Sequence, residues 1–305
     1  AMLTAMCVPD STLIEVVLAL TDSKYVKRLL PHVKDPIVRN YWEQQIANTN
    51  DFHKSEILDY LVSKFSNFIG DQRVRNIIGQ AKTTLDFRKL MDERKILLVN
   101  LSKGKMGPES AQFIGLLVVQ RLLIAALGRA DAPLTKRPDF MLYVDEFQNF
   151  ATPMFSTMLS EGRKYGLVIT IANQYLSQLA LGTFDAVMGN VGTFVSFRVG
   201  QKDAMILAQE MQPVFQPDDL INLPRYTAAV KLLMNGVAGD SFAMTTLSDW
   251  LTPDARRAAR IRKLSQKTYG RPEAEVTQEI LARMLPPKPE TPPADMKKRL
   301  LHRDD

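Results

Sequence analysis

The sequence has few of the residues that build disulfides or metal sites. Its 305 residues include one cysteine, Cys7, and three histidines, which excludes an internal disulfide framework and a Cys/His zinc site of the usual spacing. No apolar run reaches the roughly 18 residues that cross a bilayer, because the longest stretches, such as 113–119, end at polar residues like Gln120. Residues 2–20 do not have the pattern of a signal peptide. We therefore expect a reducing compartment.

The sequence also lacks the loop G-x-x-x-x-G-K-[ST], whose amides cradle nucleotide phosphates while its lysine reaches the β- and γ-phosphate oxygens. No lysine that is followed by serine or threonine is preceded by glycine. The pair Gly104-Lys105 is followed by Met106 and has no glycine at position 99. Lys103 and Lys105 remain candidates for contact with phosphates, although surface lysines of such loops usually have no such role. These residues do not predict a complete nucleotide site.

The charge of the chain is unevenly placed. The composition, 46% hydrophobic and 24% charged, is that of a globular protein, and the net charge is +6. Residues 251–305 hold thirteen lysines and arginines against eight acids, and residues 256–271 hold seven basic residues and no acid. Such a run favours nucleic acid or another polyanion, and a solvated helix face explains it equally well. The candidates for nucleic-acid contact are Arg256, Arg257, Arg260, Arg262, Lys263 and Lys267.

Before residue 93 the apolar residues recur at helical spacing. Thr12 and Glu15 have the S/T-x-x-E pattern of a capping box, and Asp35 before Pro36 is typical of a helix start. A further apolar stripe runs through residues 54–68. We therefore predict a helical subdomain over residues 1–92.

From residue 95 onward, short apolar runs alternate with helical segments. Continuous runs of this kind are typical of strands that are buried on both faces. The predicted strands are 95–101, 140–144, 167–173, 193–199 and 226–234, followed by 237–246 as an antiparallel edge strand. The alternation predicts an α/β domain over residues 93–250, with βαβ units and a mostly parallel sheet.

The rest of the chain divides into two segments. We predict a basic helical extension over residues 251–284, with helices near 253–267 and 272–284. The proline-rich tail, residues 285–305, has no apolar period, and we predict that it is extended or disordered.

Two adjacent carboxylates, Asp145 and Glu146, follow the predicted strand 140–144. In an open α/β sheet, ligands bind beyond the carboxyl ends of the strands, so both side chains would lie at that edge. An aspartate there can hold Mg²⁺ directly or through water, and the next carboxylate can orient or deprotonate an attacking water. This is the form of a Walker B motif with a catalytic glutamate. The alternative is that the two acids cap the following helix.

Two residues on the neighbouring elements suit the same chemistry. Gln174 follows the next predicted strand, where an amide can sense a γ-phosphate or position water. Arg163 lies at the end of the helix between the two strands. It either complements the helix dipole or acts across a subunit boundary as an arginine finger. Carboxylate pair, arginine and glutamine in this order form a more specific pattern than any one of them.

These residues carry a family resemblance. The runs 143–179 and 187–204 resemble the second half of the motor domain of TraG/TraD-type conjugative coupling proteins, which belong to the HerA/FtsK superfamily. The resemblance spans about residues 4–247 and implies a partial RecA-like P-loop NTPase domain with a helical subdomain. It implies Walker B roles for Asp145, with Mg²⁺, and for Glu146. It further implies that Gln174 and Arg163 are catalytic, and that Arg198 binds the nucleotide or forms a structural ion pair.

The resemblance also implies a role for the whole protein. It would be an ATP- and Mg²⁺-dependent DNA translocase, a hexameric ring at the cytoplasmic face of the inner membrane that works with relaxosome and type IV secretion proteins. Its membrane anchor and phosphate-binding loop would precede these residues, so we expect little or no ATPase activity from this chain alone. The alternatives are a non-hydrolysing module that binds DNA and protein, or a motor of the same superfamily for pilus assembly, DNA segregation or DNA processing.

Overall fold

The computed structural model describes residues 1–46, 63, 65, 68–248 and 251–284. Contacts between Cα atoms divide the chain into two compact units. The first unit combines residues 1–84 with the segment that begins at residue 260, and the second unit comprises residues 85–259. The predictions for the tail 285–305 and for most of the helix 54–68 lie outside the described residues.

The described helices are mostly short, and one is 21 residues long. They are α1 Met2–Met6, α2 Leu13–Thr21, α3 Ser23–Leu29, α4 Pro36–Asn40, α5 Gln72–Ile78, α6 Phe87–Asp92, α7 Lys103–Met106, α8 Pro108–Gly128, α9 Pro153–Glu161, α10 Leu181–Asn190, α11 Gln201–Met211, α12 Pro217–Ile221, α13 Ala255–Tyr269 and α14 Glu273–Met284. The strands are β1 Phe140–Val144, β2 Leu167–Ile171, β3 Phe194–Ser196, β4 Thr227–Lys231, β5 Leu233–Met234, β6 Val237–Ala238 and β7 Phe242–Thr245.

The first unit is helical, and its predicted helix starts are confirmed. The Thr12 side chain and the Glu15 carboxylate form a capping box at the start of α2, and the Asp35 carboxylate accepts the Ile37 N–H at 2.8 Å at the start of α4. Each cap satisfies backbone donors that the first helical turn leaves free. A small core of α2, α3 and the turn after α4 forms around Trp42.

The last described helix, α14, packs against the amino-terminal helices of this unit. Ile14 of α2 forms one buried cluster with Val276 and Ile280 of α14. The Arg283 Nε lies 3.0 Å from a Glu15 carboxylate oxygen, and the Glu15 side chain is only 4% exposed. Helices α13 and α14 confirm the two helices predicted after residue 250, and α14 belongs to the same compact unit as α2 and α5.

The second unit is built on a parallel pair of strands. β1 and β2 pair in register from Phe140 with Leu167 to Val144 with Ile171. One face of the pair packs on α8 and α9 in the main hydrophobic core, whose buried members include Leu122, Leu123, Ala126, Leu142, Val144, Phe155 and Met158. The prediction of an α/β fold with parallel strands and helical parts at both ends of the chain is confirmed.

One helix in the described part of the chain, Pro108–Asp131, is long and apolar enough to cross a membrane, judged by length and composition. It contains α8 and the helical turn that follows it. Leu122, Leu123 and Ala126 of this helix are buried against the residues of β1 and α9. In this structure it therefore packs as the central core helix of the second unit.

The prediction of a strand at 95–101 is wrong for this structure. Among the described residues β1 pairs with β2 alone, and residues 95–101 have no strand partner. Ile96 and Leu98 are 86% and 82% exposed, and a cavity of about 560 Å³ lies between residues 97–101 and β1. An apolar run becomes a strand only when a neighbouring strand takes up its hydrogen bonds, and no described strand does so here.

The prediction that the segments 193–199 and 226–234 continue the parallel series is also wrong. β3 and β4 pair antiparallel, and β7 adds to β4, again antiparallel. The predicted antiparallel edge strand at 237–246 is confirmed by β7. Apolar periodicity identifies a strand, but the direction of pairing depends on the connections, which periodicity does not report.

Candidate functional site

The turn after β1 carries both predicted carboxylates and is anchored in the core. The Phe147 side chain is fully buried, and its ring centroid lies 4.6 Å from that of Phe155. The Phe147 N–H donates to the Ala172 carbonyl at 2.9 Å, and the Ala172 N–H donates to the Val144 carbonyl at 2.9 Å. These bonds fix the ends of β1 and β2 side by side, so that Asp145 and Glu146 emerge at the carboxyl edge of the parallel pair.

Glu146 has a left-handed backbone, with φ 50° and ψ 45°. This conformation is uncommon for a residue other than glycine and recurs at functional sites. Two side chains hold it: the Asp145 Oδ1 accepts the Glu146 N–H at 2.9 Å, and the Asn149 Nδ2 donates to the Glu146 carbonyl at 3.1 Å. The turn therefore sets the direction of the Glu146 side chain.

The Glu146 carboxylate is hydrogen-bonded through both of its oxygens. Gln174, which follows β2, donates from Nε2 to Oε1 at 2.6 Å. Gln148, two residues further along the turn, donates from Nε2 to Oε2 at 2.7 Å. The structure thus brings together Glu146 and Gln174 as their strand ends predicted, whereas Gln148 was not predicted. The only sequence signal for Gln148 was an amide residue two positions after Glu146.

Both carboxylates line the cavity of about 560 Å³ beside β1, together with Lys103 and Asn149. Asp145 is exposed there, and its Oδ1 is the atom that accepts the Glu146 N–H. Among the described residues no group of three or more His, Cys, Asp or Glu side chains could hold a metal. These residues therefore do not form an all-protein metal cage, whereas a single carboxylate such as Asp145 suits Mg²⁺ that is held mainly by phosphate oxygens and water.

Arg163 lies at the other end of the parallel pair. It belongs to the helical turn Gly162–Tyr165, which precedes β2, whereas the carboxylates follow β1. β1 has five residues, and at about 3.3 Å per residue it spans about 16 Å. The Arg163 side chain is exposed and lines a second cavity, of about 540 Å³, beside β2. The structure therefore does not bring Arg163 to the Glu146 of its own chain.

Arg198 follows β3, which belongs to the antiparallel sheet of β3, β4 and β7. Its side chain is exposed, and among the described residues it forms no ion pair. The alternative, a structural ion pair, is therefore not formed in the described part of the chain, and the nucleotide contact of Arg198 stays a prediction.

The basic residues near the carboxyl end lie on one exposed helix, α13. Four of them, Arg256, Arg260, Lys263 and Lys267, follow the spacing i, i+4, i+7 and i+11, so they lie on one face. At about 1.5 Å per residue this basic stripe is about 16 Å long. All six candidate side chains are exposed, and none forms an ion pair with another described residue. Their charge is therefore available to an external polyanion.

Comparison with known families identifies the segment that carries the carboxylates. The family described as the TraM recognition site of TraD and TraG matches residues 139–209. This segment runs from the residue before β1 into α11 and includes Asp145, Glu146, Arg163, Gln174 and Arg198. The predicted resemblance to TraG/TraD-type coupling proteins is thereby confirmed for these residues. No curated protein matches the chain significantly.

Solved structures of one plasmid coupling protein are similar to the chain. TrwB in complex with ADP and Mg²⁺ is 15% identical, with a TM-score of 0.47 over 75% of this chain and 59% of that chain. TrwB in complex with the non-hydrolysable GTP analogue GDPNP is 14% identical, with a TM-score of 0.47 over 75% and 61%. The unbound monoclinic form of TrwBdeltaN70 is 14% identical, with a TM-score of 0.47 over 76% and 60%. The chain spans about three fifths of the length of these structures.

Proposed function

We propose that the chain is the carboxyl-terminal part of an ATP-driven DNA translocase, the coupling protein of a conjugative type IV secretion system. One observation carries the proposal. Glu146, at the end of β1, is hydrogen-bonded at 2.6 Å to Gln174 beyond the parallel strand β2, within the segment that matches the coupling-protein family. A carboxylate and an amide at this edge of a parallel pair suit the orientation and deprotonation of a water molecule.

In this proposal each residue of the site has one task. Glu146 orients the attacking water and accepts its proton, Gln174 senses the γ-phosphate, and Asp145 holds Mg²⁺ directly or through water. Bound ATP supplies the phosphoryl group that is transferred, and Mg²⁺ supplies charge to its phosphates. Lys103 lines the same cavity as the carboxylates and is a candidate for a phosphate contact. Arg198 is proposed as a further contact to the nucleotide.

The position of Arg163 supports an oligomer. Because about 16 Å of sheet separates it from Glu146 along one chain, an arginine-finger role requires the Arg163 of a neighbouring subunit. We therefore propose a ring, with six subunits as in the family it resembles, formed by a partial RecA-like P-loop domain. Its place would be the cytoplasmic face of the inner membrane, with an anchor outside this chain, and its partners would be DNA, relaxosome proteins and the secretion channel.

An ATPase assay with Mg²⁺ and DNA tests the proposal in two forms of the protein. We expect no turnover from this chain alone above that of its Glu146→Gln variant, because its sequence has no phosphate-cradling loop. In a longer form that carries such a loop ahead of residue 1, we expect turnover that falls at least about 100-fold in Glu146→Gln.

Asn173→Ala is the matched control for the assay. Asn173 is next to Gln174, but its side chain donates to the Tyr175 carbonyl, so turnover should stay within about twofold. Turnover of the longer form that is unchanged in Glu146→Gln would contradict the proposal.

A second candidate function is a non-hydrolysing module that binds DNA and proteins. The six unpaired basic side chains of α13 favour it, because they can attract DNA without nucleotide chemistry. DNA binding by a longer form that has the phosphate-binding loop but shows no turnover would support this candidate over the motor.

A further inference from the structure

The Glu146 carboxylate has two amide partners that differ in how firmly they are held. Gln148 belongs to the helical turn Phe147–Asn149, which is anchored by the fully buried Phe147 ring. Gln174 is exposed and lies three residues beyond the end of β2. A half-buried residue in an anchored turn keeps its geometry, whereas an exposed side chain exchanges partners readily.

The surroundings of Gln148 indicate that its amide serves the carboxylate. Its Oε1 is buried and has no hydrogen-bond partner among the described residues, and its Nε2 donates to Glu146 Oε2 at 2.7 Å. A buried carbonyl oxygen without a partner costs free energy. A side chain with only a structural task would be expected to satisfy both ends of its amide, as buried polar groups generally do. The neighbouring Asn149, by contrast, donates to a backbone carbonyl and helps to close the turn.

We propose that Gln148 is the positioning residue of this site, and that Gln174 is the exchangeable partner of the same carboxylate. Gln148 binds Oε2 of Glu146 and so keeps the carboxylate oriented to receive the proton of the attacking water. Gln174 leaves Oε1 when it engages a ligand at the carboxyl edge of the parallel pair, and this release frees the carboxylate for proton transfer. The inference rests on the proposed ATPase function, since it assigns the positioning of that same glutamate.

The contacts themselves are tested in this chain by nuclear magnetic resonance. The protein is labelled with [¹⁵N]glutamine, and the side-chain amide signals of Gln148 and Gln174 are assigned by their loss in Gln148→Leu and Gln174→Leu. We expect both signals to shift in Glu146→Ala. The signal of Gln112, whose Nε2 donates to the Asn149 carbonyl, should shift less and serves as the internal control. A Gln148 signal that does not move in Glu146→Ala would overturn the inference.

The positioning role is tested by kinetics in the longer form that carries a phosphate-binding loop. In Gln148→Leu we expect kcat to fall about 10- to 100-fold at unchanged KM, because misplaced catalytic groups lower the rate without weakening substrate binding. Gln148→Glu keeps the size of the side chain and replaces the donor with a like charge, so its kcat should fall further. Gln178→Leu, at an exposed glutamine that does not line this cavity, should leave both constants within about twofold.

The outcomes separate the inference from the function on which it rests. If Glu146→Gln abolishes turnover while both Gln148 variants retain wild-type kcat, the positioning role is wrong and the ATPase proposal stands. If Glu146→Gln does not affect turnover, the proposed function itself fails. Wild-type thermal unfolding of the Gln148 variants, with kcat reduced, excludes misfolding as the cause and supports the inference.

Discussion

Arg129 shows how much of this structure depends on single polar side chains. Its side chain is 1% exposed, although it is a charged residue directly after the end of α8. Its guanidinium donates to the Tyr165 carbonyl at 2.8 Å and to the Pro138 carbonyl at 2.5 Å, and its Nε lies 3.0 Å from Asp92 Oδ1. One cation thus joins the helix end, the segment before β1 and the turn that carries Arg163.

Replacing Arg129 should therefore destabilise the second unit. In Arg129→Met we expect the free energy of unfolding to fall by about 3 kcal/mol, because two partly buried carbonyls lose a charged donor and Asp92 keeps only Arg88 as an ion partner. Native-state hydrogen exchange of the β1 and β2 amides measures this change in the unit concerned.

Lys136→Met is the control for that measurement. Lys136 is exposed in the adjacent helical turn. Its replacement should therefore change the free energy of unfolding obtained from exchange of the same amides by about 0.5 kcal/mol or less. Equal exchange in the two variants would contradict the role of Arg129.

At this scale the sequence predicted the reactive side chains better than the groups that orient them. Glu146 and Gln174 could be expected at one edge, because the carboxyl ends of parallel strands meet there. The left-handed backbone of Glu146 and the bond from Gln148 depend on one turn and on side-chain rotamers, which residue spacing does not report. Gln148, like Arg129, therefore became visible only in the structure.

At the scale of elements, helix α14 gives the clearest contrast between pattern and packing. The sequence predicted a helix at 272–284 and assigned it to a carboxyl-terminal extension. The structure has this helix, and its apolar face lies on α2 and α5 of the amino-terminal unit. Periodicity reveals that a helix has an apolar face, but not which distant helix covers that face.

This packing predicts a large effect of Ile280→Ala on the first unit. Ile280 is 1% exposed in the cluster with Ile14 and Val276, so its truncation should lower the free energy of unfolding by about 2–5 kcal/mol. Trp42 is buried in the same unit and reports urea unfolding by fluorescence in a background where Trp250 is replaced by Phe.

The control for this prediction lies on the same helix. Leu281 is 42% exposed, so Leu281→Ala should cost much less than Ile280→Ala. Equal destabilisation by the two changes would show that α14 does not use the face seen in the structure.

The strands show that an apolar sequence run can predict more burial than the structure has. Their apolar runs predicted burial on both faces, yet Met141 and Tyr143 of β1 are 60% and 69% exposed. They lie on the face opposite Leu142 and Val144, which pack in the core. The composition of a strand indicates only that both of its faces can be buried. Whether both faces are covered depends on the elements that pack against them, which the sequence of the strand does not reveal.

At the scale of the whole molecule, the positive charge is concentrated on one helix. Most of the excess positive charge lies after residue 250, and α13 carries six basic residues without a described ion partner. Ion pairs among the described residues occupy several other basic side chains, such as Arg88 with Asp131 and Arg283 with Glu15. The basic stripe of α13 is therefore the surface that we expect to meet DNA.

The salt dependence of DNA binding tests this expectation. In the quadruple variant with glutamine at positions 256, 260, 263 and 267, binding of duplex DNA should weaken. The slope of log K against log salt should become shallower by up to about 0.9 for each lost phosphate contact. Fluorescence anisotropy over a range of salt concentrations measures both quantities.

The matched control removes the same charge elsewhere, at the exposed residues Lys27, Lys34, Lys136 and Lys202, none of which forms an ion pair with a described residue. It should leave the salt slope nearly unchanged, because the slope counts phosphates in contact and not net charge. Loss of affinity in both variants, with no change of slope in either, would mean that overall charge attracts the DNA. Helix α13 would then have no specific part in binding it, and the charge pattern that first suggested nucleic acid would be that of a solvated helix face.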